Sequence, residues 1–139
     1  MLEAHCENFL DYAFNMYFYS QYAWEEKVDV NAVLDEQNKT LFGPAANEMS
    51  QIFAAFEQKF VYGVSQWRYY IYDLPQVVPD NEGRKTLAEV YDKAFCTRMT
   101  ALFDAAERKA QKDGLVRSRI ALFRKHLLDR VVAYGRGTK

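Results

Sequence analysis

The fold is decided by residues 28–60, VDVNAVLDEQNKTLFGPAANEMSQIFAAFEQKF. This stretch predicts a short helix over 29–41, a stop at Gly43, and a longer helix that begins at Pro44. Asp29 is suited to cap the first helix, because its carboxylate can accept hydrogen bonds from the free N–H groups of the first turn. Pro44 suits the start of a helix, where no backbone N–H is needed, and Gly43 can take the unusual dihedral angles of the junction.

The rest of the chain also repeats apolar residues at three- and four-residue steps, which is typical of amphipathic helices. The sequence predicts helices over these ranges: 3–24, 29–41, 44–62, 84–112 and 115–134. In the helix over 29–41, the predicted apolar face comprises Val30, Val33, Leu34 and Leu41. The β-branched and aromatic residues of 64–72 would also suit a strand, and we favour continued helix there.

The segments between these helices are marked by turn-forming residues. Proline, asparagine and glycine predict a loop over 73–83. Asp113 and Gly114 are expected to close the helix over 84–112, with the glycine in a left-handed cap conformation. Residues 135–139 are expected to form a flexible tail.

Long helices with short connections favour an all-α fold, an antiparallel bundle of about five helices in a single domain over 1–139. A length of 139 residues is enough for one domain with a substantial core. The predicted core comprises Leu34, Ile52, Phe56, Leu87, Tyr91, Phe95, Leu102, Ile120, Phe123 and Leu127.

Composition excludes several classes of protein. Half of the residues are hydrophobic and 16% are aromatic, which excludes a disordered chain. The net charge is -1, divided between +6 in residues 115–139 and -7 in the remainder, so the two parts can attract each other within the fold. The basic residues of the last helix are expected to face outward. They are not interleaved with aromatic residues, which argues against a nucleic-acid partner.

The sequence also bears on membranes and location. No apolar run approaches the roughly 20 residues of a membrane span, so we expect a soluble chain with no membrane partner. Acidic residues and a histidine stand near the N-terminus where a signal peptide would be basic and then apolar, so we expect no signal peptide in this chain. The sequence does not indicate in which cellular compartment the chain resides.

No residue pattern specifies a reaction, a cofactor or a metal. The two histidines, His5 and His126, lie near opposite ends of the chain on different predicted helices, which argues against a shared metal, and His126 is expected to be solvated. Paired carboxylates lie on the polar faces of the predicted helices rather than in two contrasting environments, so we expect no catalytic pair. Cys6 and Cys96 are expected to be buried thiols, with a disulfide as the alternative.

Two aromatic groups are candidates for binding. The first could stack against a sugar ring or could simply rim the core; it comprises Trp67, Arg68, Tyr69, Tyr70 and Tyr72. The second lies off the main apolar stripe of the helix over 3–24; it comprises Phe14, Phe18, Tyr19 and Tyr22. Exposed together, these four side chains would form a patch larger than monomers usually leave bare, so they predict an interface. The alternative is that the other helices cover them.

Residues 22–60 resemble a segment of large bacterial glycoside-hydrolase-like proteins related to α-glucuronidases and β-hexosaminidases. The matching positions are Trp24, Asp29, Val30, Leu34, Phe42, Gly43, Pro44, Ala45, Ala46 and Met49. Looser matches are the aromatic region around Trp67, Ala94 in the predicted helix over 84–112, and Arg119, Ile120 and Leu127 in the predicted helix over 115–134. In those proteins the segment belongs to a helical C-terminal domain that follows a catalytic barrel.

The resemblance implies a non-catalytic helical accessory domain, a fragment of a larger carbohydrate-active protein. Residues 1–24 would then form the last helix of the upstream barrel domain. The catalytic acids of such proteins lie in the barrel, so none is carried onto this chain. The implied partner is the upstream catalytic domain, or a second copy when the chain is alone, with carbohydrate as a possible ligand. The alternative is a free-standing module for protein–protein interaction.

Overall fold

A computed structural model describes residues 27–63 and 88–135, together with Ser20 and Ala23. All regular structure in these residues is helical, so the all-α class is confirmed for them. The helices are α1 (Val30–Phe42), α2 (Ala46–Gly63), α3 (Lys93–Lys109), α4 (Gly114–Arg124) and α5 (Arg130–Gly135). A 3-10 turn, Gly43–Ala45, joins α1 to α2, and a π-helical turn, Lys125–Asp129, joins α4 to α5.

The start of α1 and its junction with α2 both have the predicted chemistry. The Asp29 carboxylate accepts hydrogen bonds from the backbone N–H groups of Asn31 and Ala32 at 3.0 and 3.2 Å. Gly43 has a φ of 47°, in the region that favours glycine, and Pro44 lies in the first turn after it. The stop and the restart of the helix are therefore both encoded locally.

The buried face of α1 differs from the predicted apolar face. Phe42 is fully buried, and Asn38 is buried one turn before it on the same stripe. Val30 is 45% exposed and Leu34 is only half-buried, so the prediction that Leu34 belongs to the core was wrong. The large ring of Phe42 determines which face of α1 packs against the other helices. The smaller apolar residues of the first turns of α1 do not determine it.

The predicted continuous helix over 84–112 was also wrong. Residues 88–90 are helical, but the helix breaks at Tyr91 and Asp92, and α3 begins at Lys93. The Asp92 carboxylate accepts a hydrogen bond from the Phe95 N–H at 2.7 Å, so it caps a new helix. An aspartate satisfies the free N–H groups of a first turn better than it serves a helix interior, which accounts for the break.

The end of α3 follows the same rule. The prediction of a left-handed cap at Gly114 was wrong, because this glycine has no positive φ and is the first residue of α4. Asp113 is instead the N-cap of α4, and its carboxylate accepts from the N–H groups of Leu115 and Val116 at 3.1 and 3.0 Å.

The predicted helix over 115–134 is interrupted by the π-helical turn after Arg124. A π-turn adds a residue to the helical repeat and so changes which side chains face inward. Leu127 and Leu128, which are neighbours in sequence, are both buried here. The helix then continues to Gly135, and residues 136–139 of the predicted tail lie outside the described part.

The core lies where α2 packs against α1 and α3, with α4 against α3 and α1. Seven residues of the predicted core are confirmed as buried: Ile52, Phe56, Tyr91, Phe95, Ile120, Phe123 and Leu127. Leu102 is only partly buried, and Leu87 lies outside the described residues. The fully buried side chains also include Phe42, Met49, Met99 and Phe103.

Candidate functional site

Both aromatic groups proposed from the sequence lie outside the described residues. This applies to the sugar-stacking candidates Trp67, Arg68, Tyr69, Tyr70 and Tyr72. It applies equally to the interface candidates Phe14, Phe18, Tyr19 and Tyr22. Both assignments therefore stay predictions, as do the helix over 3–24 and the conformation of 64–72.

The described part of the chain carries an exposed apolar surface that the sequence reasoning missed. Leu115 is 63% exposed and Leu122 is 47% exposed, and they stand two turns apart on α4. Ser118 and Ala121 are exposed between them. These four residues, which we call the outer α4 face, lie opposite the buried side chains Val116, Ile120 and Phe123.

The signal for this surface was present in the sequence, since Leu115 and Leu122 fall off the inward stripe of their helix. Leu115, Ala121 and Leu122 offer no group for acid–base or nucleophilic chemistry, and the Ser118 hydroxyl donates to the Gly114 carbonyl of its own helix at 2.9 Å. The leucines can pack against another apolar surface, with exposed Arg117 on α4 and exposed Lys125 in the following π-helical turn to meet acidic groups. The outer α4 face is therefore a candidate contact surface.

Two arginines of α4 turn toward the domain instead of facing outward, which corrects the prediction for this helix. Arg119 donates to the Leu41 carbonyl at 3.0 Å. Arg124 donates to Asp104 at 2.7 Å and to Glu107 at 3.1 Å. Burial by itself lowers the pKa of Arg124, but the hydrogen bonds and charges of these two carboxylates outweigh it and raise the pKa. The expected attraction between the basic C-terminal region and the acidic remainder is thus present within the fold.

Three polar side chains, Gln37, Asn38 and Glu48, are more than nine-tenths buried. Asn38 donates to the Ser50 hydroxyl at 2.8 Å, and Glu48 pairs with Lys109 at 2.7 Å. These partners lie on different helices, so Asn38 ties α1 to α2 whereas Glu48 ties α2 to α3. Sequence reasoning missed all three, because helical periodicity assigns polar residues to the surface.

Residues 27–63 and 88–135 contain one histidine, His126, and one cysteine, Cys96. No three His, Cys, Asp or Glu side chains in these ranges are grouped so that they could hold a metal ion. Contrary to prediction, His126 is half-buried rather than solvated. Cys96 is a free, half-buried thiol that donates to the Tyr91 carbonyl at 3.4 Å, whereas Cys6 lies outside the described part. Burial, and then the charge of Asp92, raises the pKa of Cys96 above its usual value, which disfavours the reactive thiolate.

Among the helices of the described residues, none combines the length and the apolar character that crossing a bilayer requires.

Tyr91 should make the fold sensitive to alkali. Its hydroxyl is buried with no hydrogen-bond partner among the described residues, and burial raises the pKa of Tyr91 to about 12. An unfolded tyrosine loses its proton near pH 10 while the folded one keeps it, so stability falls as pH rises from 10 to 12. We expect the wild type to lose about 2–3 kcal/mol more over this interval than Tyr91→Phe does, since one pKa unit is worth about 1.4 kcal/mol.

Urea unfolding of both proteins at pH 8, 10 and 12 measures this difference. The other tyrosines are common to both proteins and cancel in the comparison. At pH 8 the Tyr91→Phe variant should be at least as stable as the wild type, because it removes a buried hydroxyl that makes no hydrogen bond. Parallel pH profiles for the two proteins would show that Tyr91 is not the titrating group.

Comparison of the whole chain with protein-family models, with curated proteins and with solved structures found no match in any of the three searches.

Proposed function

We propose that this chain is a non-catalytic helical module that acts by docking on another protein surface. The observation that carries the proposal is the outer α4 face, where Leu115 and Leu122 are exposed on one side of a helix that is already anchored by its opposite side. Anchored helices usually present charged residues to water. Exposed leucines two turns apart on such a helix favour a protein partner.

The proposed setting is a larger carbohydrate-active protein, in which this chain is an accessory domain, an antiparallel bundle of about five helices. The resemblance of residues 22–60 to bacterial glycoside-hydrolase-like proteins supports this setting. The partner would be the catalytic barrel, contacted through the outer α4 face and through Phe14, Phe18, Tyr19 and Tyr22. The aromatic residues around Trp67 would offer a carbohydrate contact.

The alternative setting is a free-standing interaction module, which the outer α4 face supports equally. The genomic reading frame separates the two settings. A frame that extends upstream of Met1 into a barrel favours the accessory domain, whereas a start at Met1 favours the free-standing module. In both settings the purified chain should not hydrolyse aryl glycosides, and turnover that scales with protein concentration would contradict the non-catalytic proposal.

When the chain is alone, its contact surfaces should make it self-associate. Burying about 400 Å² of apolar surface offers roughly 10 kcal/mol before the cost of association is subtracted. We expect two double variants, Phe18→Glu with Tyr22→Glu and Leu115→Glu with Leu122→Glu, each to weaken self-association at least tenfold. Sedimentation velocity over a wide concentration range measures the effect.

Thr40→Glu is the matched control, because it adds an acidic group at an exposed position of α1 that belongs to neither of the two proposed surfaces. It should leave the sedimentation profile unchanged. A wild type that stays monomeric at millimolar concentration would contradict the self-association that we expect of the isolated module.

A further inference from the structure

Gly43 lies at the junction of α1 and α2 in a backbone conformation that only glycine adopts easily; we call this junction the hinge and the observed arrangement closed. Its φ of 47° and ψ of -116° turn the chain so that α1 lies back against α2. No other residue of the described ranges has a positive φ. A Cβ atom built on Gly43 would meet no atom within 4 Å, so the need for glycine comes from the backbone alone and not from crowding.

Several contacts hold α1 in the closed position, and each joins α1 to a part of the chain that follows Gly43. The Phe42 ring at the end of α1 lies 5.8 Å from the Phe53 ring and 5.7 Å from the Phe123 ring. Asn38 donates to Ser50 of α2. Because all of these partners come after the hinge, they form a groove that would receive the same α1 from any copy of the chain.

The carboxyl end of α1 also meets a positive charge in this groove. Arg119 of α4 donates to the Leu41 carbonyl, which places a cation at the negative carboxyl end of the α1 helix dipole.

The hinge can open without a conformational penalty of its own. A residue that precedes proline is biased toward extended backbone, and Gly43 precedes Pro44. An extended Gly43 would carry α1 away from its own α2. The contacts that α1 then loses can be recovered only in a groove of the same composition.

We propose that two copies of this chain exchange α1, each placing it in the groove of the other between Phe53, Phe123 and Arg119. The groove contacts named here belong to neither the outer α4 face nor the N-terminal aromatic group, so the exchange can be tested separately from the function proposed above. The occupant of the groove is then α1 of a second copy, and the conformation of Gly43 determines whether the groove is free to receive it.

Gly43→Ala tests the exchange. Alanine disfavours the positive φ of the closed hinge but not the extended conformation of the open one, so the substitution penalises the closed monomer selectively. We expect the monomer–dimer equilibrium to shift at least tenfold toward the dimer, measured by sedimentation equilibrium. Gly114→Ala is the matched control: its Cβ would also meet no atom within 4 Å and its φ is not positive, so the equilibrium should not move.

The contacts within the dimer identify the exchange. In a mixture of ¹³C-labelled and unlabelled Gly43→Ala protein, nuclear Overhauser effects should connect Phe42 of one copy with Phe123 of the other. A dimer formed through the outer α4 face or the N-terminal aromatic residues would not give them, so this readout separates the exchange from the proposed function. A Gly43→Ala protein that stays monomeric, or a dimer without these effects, overturns the exchange. If the variant does not fold, the same labelling is applied to wild type refolded from urea at high concentration, where the same two outcomes decide.

Discussion

Replacing Phe42 with alanine is expected to lower the free energy of unfolding by about 3–5 kcal/mol, as large-to-small changes of buried aromatic residues do. Phe42 is fully buried, and its ring contacts those of Phe53 and Phe123. These rings belong to α1, α2 and α4, so truncation leaves a cavity bordered by three helices. Urea unfolding followed by circular dichroism measures the loss.

Leu115→Ala is the matched control for this measurement. It also truncates a large apolar side chain, but Leu115 is 63% exposed, so the change should stay within about 0.5 kcal/mol. A loss below about 1 kcal/mol for Phe42→Ala would mean that α1 contributes little to the cooperative unit.

The start and the end of α1 could be predicted because the interactions that define them are local. The Asp29 carboxylate reaches N–H groups two and three residues away, and Pro44 and Gly43 act through their own backbone dihedral angles. The buried stripe of α2, with Met49 and Ile52, could also be predicted, because its apolar residues recur at helical spacing with no competing choice.

The break at Asp92 could not be predicted from apolar periodicity, because the apolar stripe continues across it. The break at Asp113 was predicted, but its cap was assigned to Gly114 at the end of one helix instead of to Asp113 at the start of the next. The structure shows an N-cap in both places, with the carboxylate bonded to free N–H groups of the next turn. The capping preference of aspartate is thus the signal that marks these helix starts, and apolar periodicity does not detect it.

The burial of polar residues could not be predicted from apolar periodicity either. Asn38 is buried because it stands one turn before Phe42, and Ser50 lies where it can accept the amide hydrogen. Leu115 and Leu122 show the converse, since apolar side chains are left exposed on α4 because Val116, Ile120 and Phe123 already determine its inward side. The candidate contact surface was therefore visible in the sequence only as leucines that do not fit the buried stripe.

Phe56→Ala is expected to cost about 3–5 kcal/mol for a different reason, the loss of the contact between α2 and the start of α3. Phe56 is 3% exposed, and its ring centre lies 5.8 Å from that of Tyr91 and 5.1 Å from that of Phe95. Glu57→Ala, at the next and exposed position of α2, is the matched control and should change stability by less than about 0.5 kcal/mol.

Phe56→Ala should also change how stability depends on pH, because Phe56 helps to bury Tyr91. With the ring removed, water gains access to the tyrosine, and the pKa of Tyr91 should fall from about 12 back toward the ordinary value near 10. The extra loss of stability between pH 10 and 12 should then shrink in Phe56→Ala, while Glu57→Ala keeps it in full. If Phe56→Ala is destabilised but keeps the full extra loss of stability between pH 10 and 12, Phe56 supports the core without shielding Tyr91. A variant as stable as the wild type would place Phe56 outside the core.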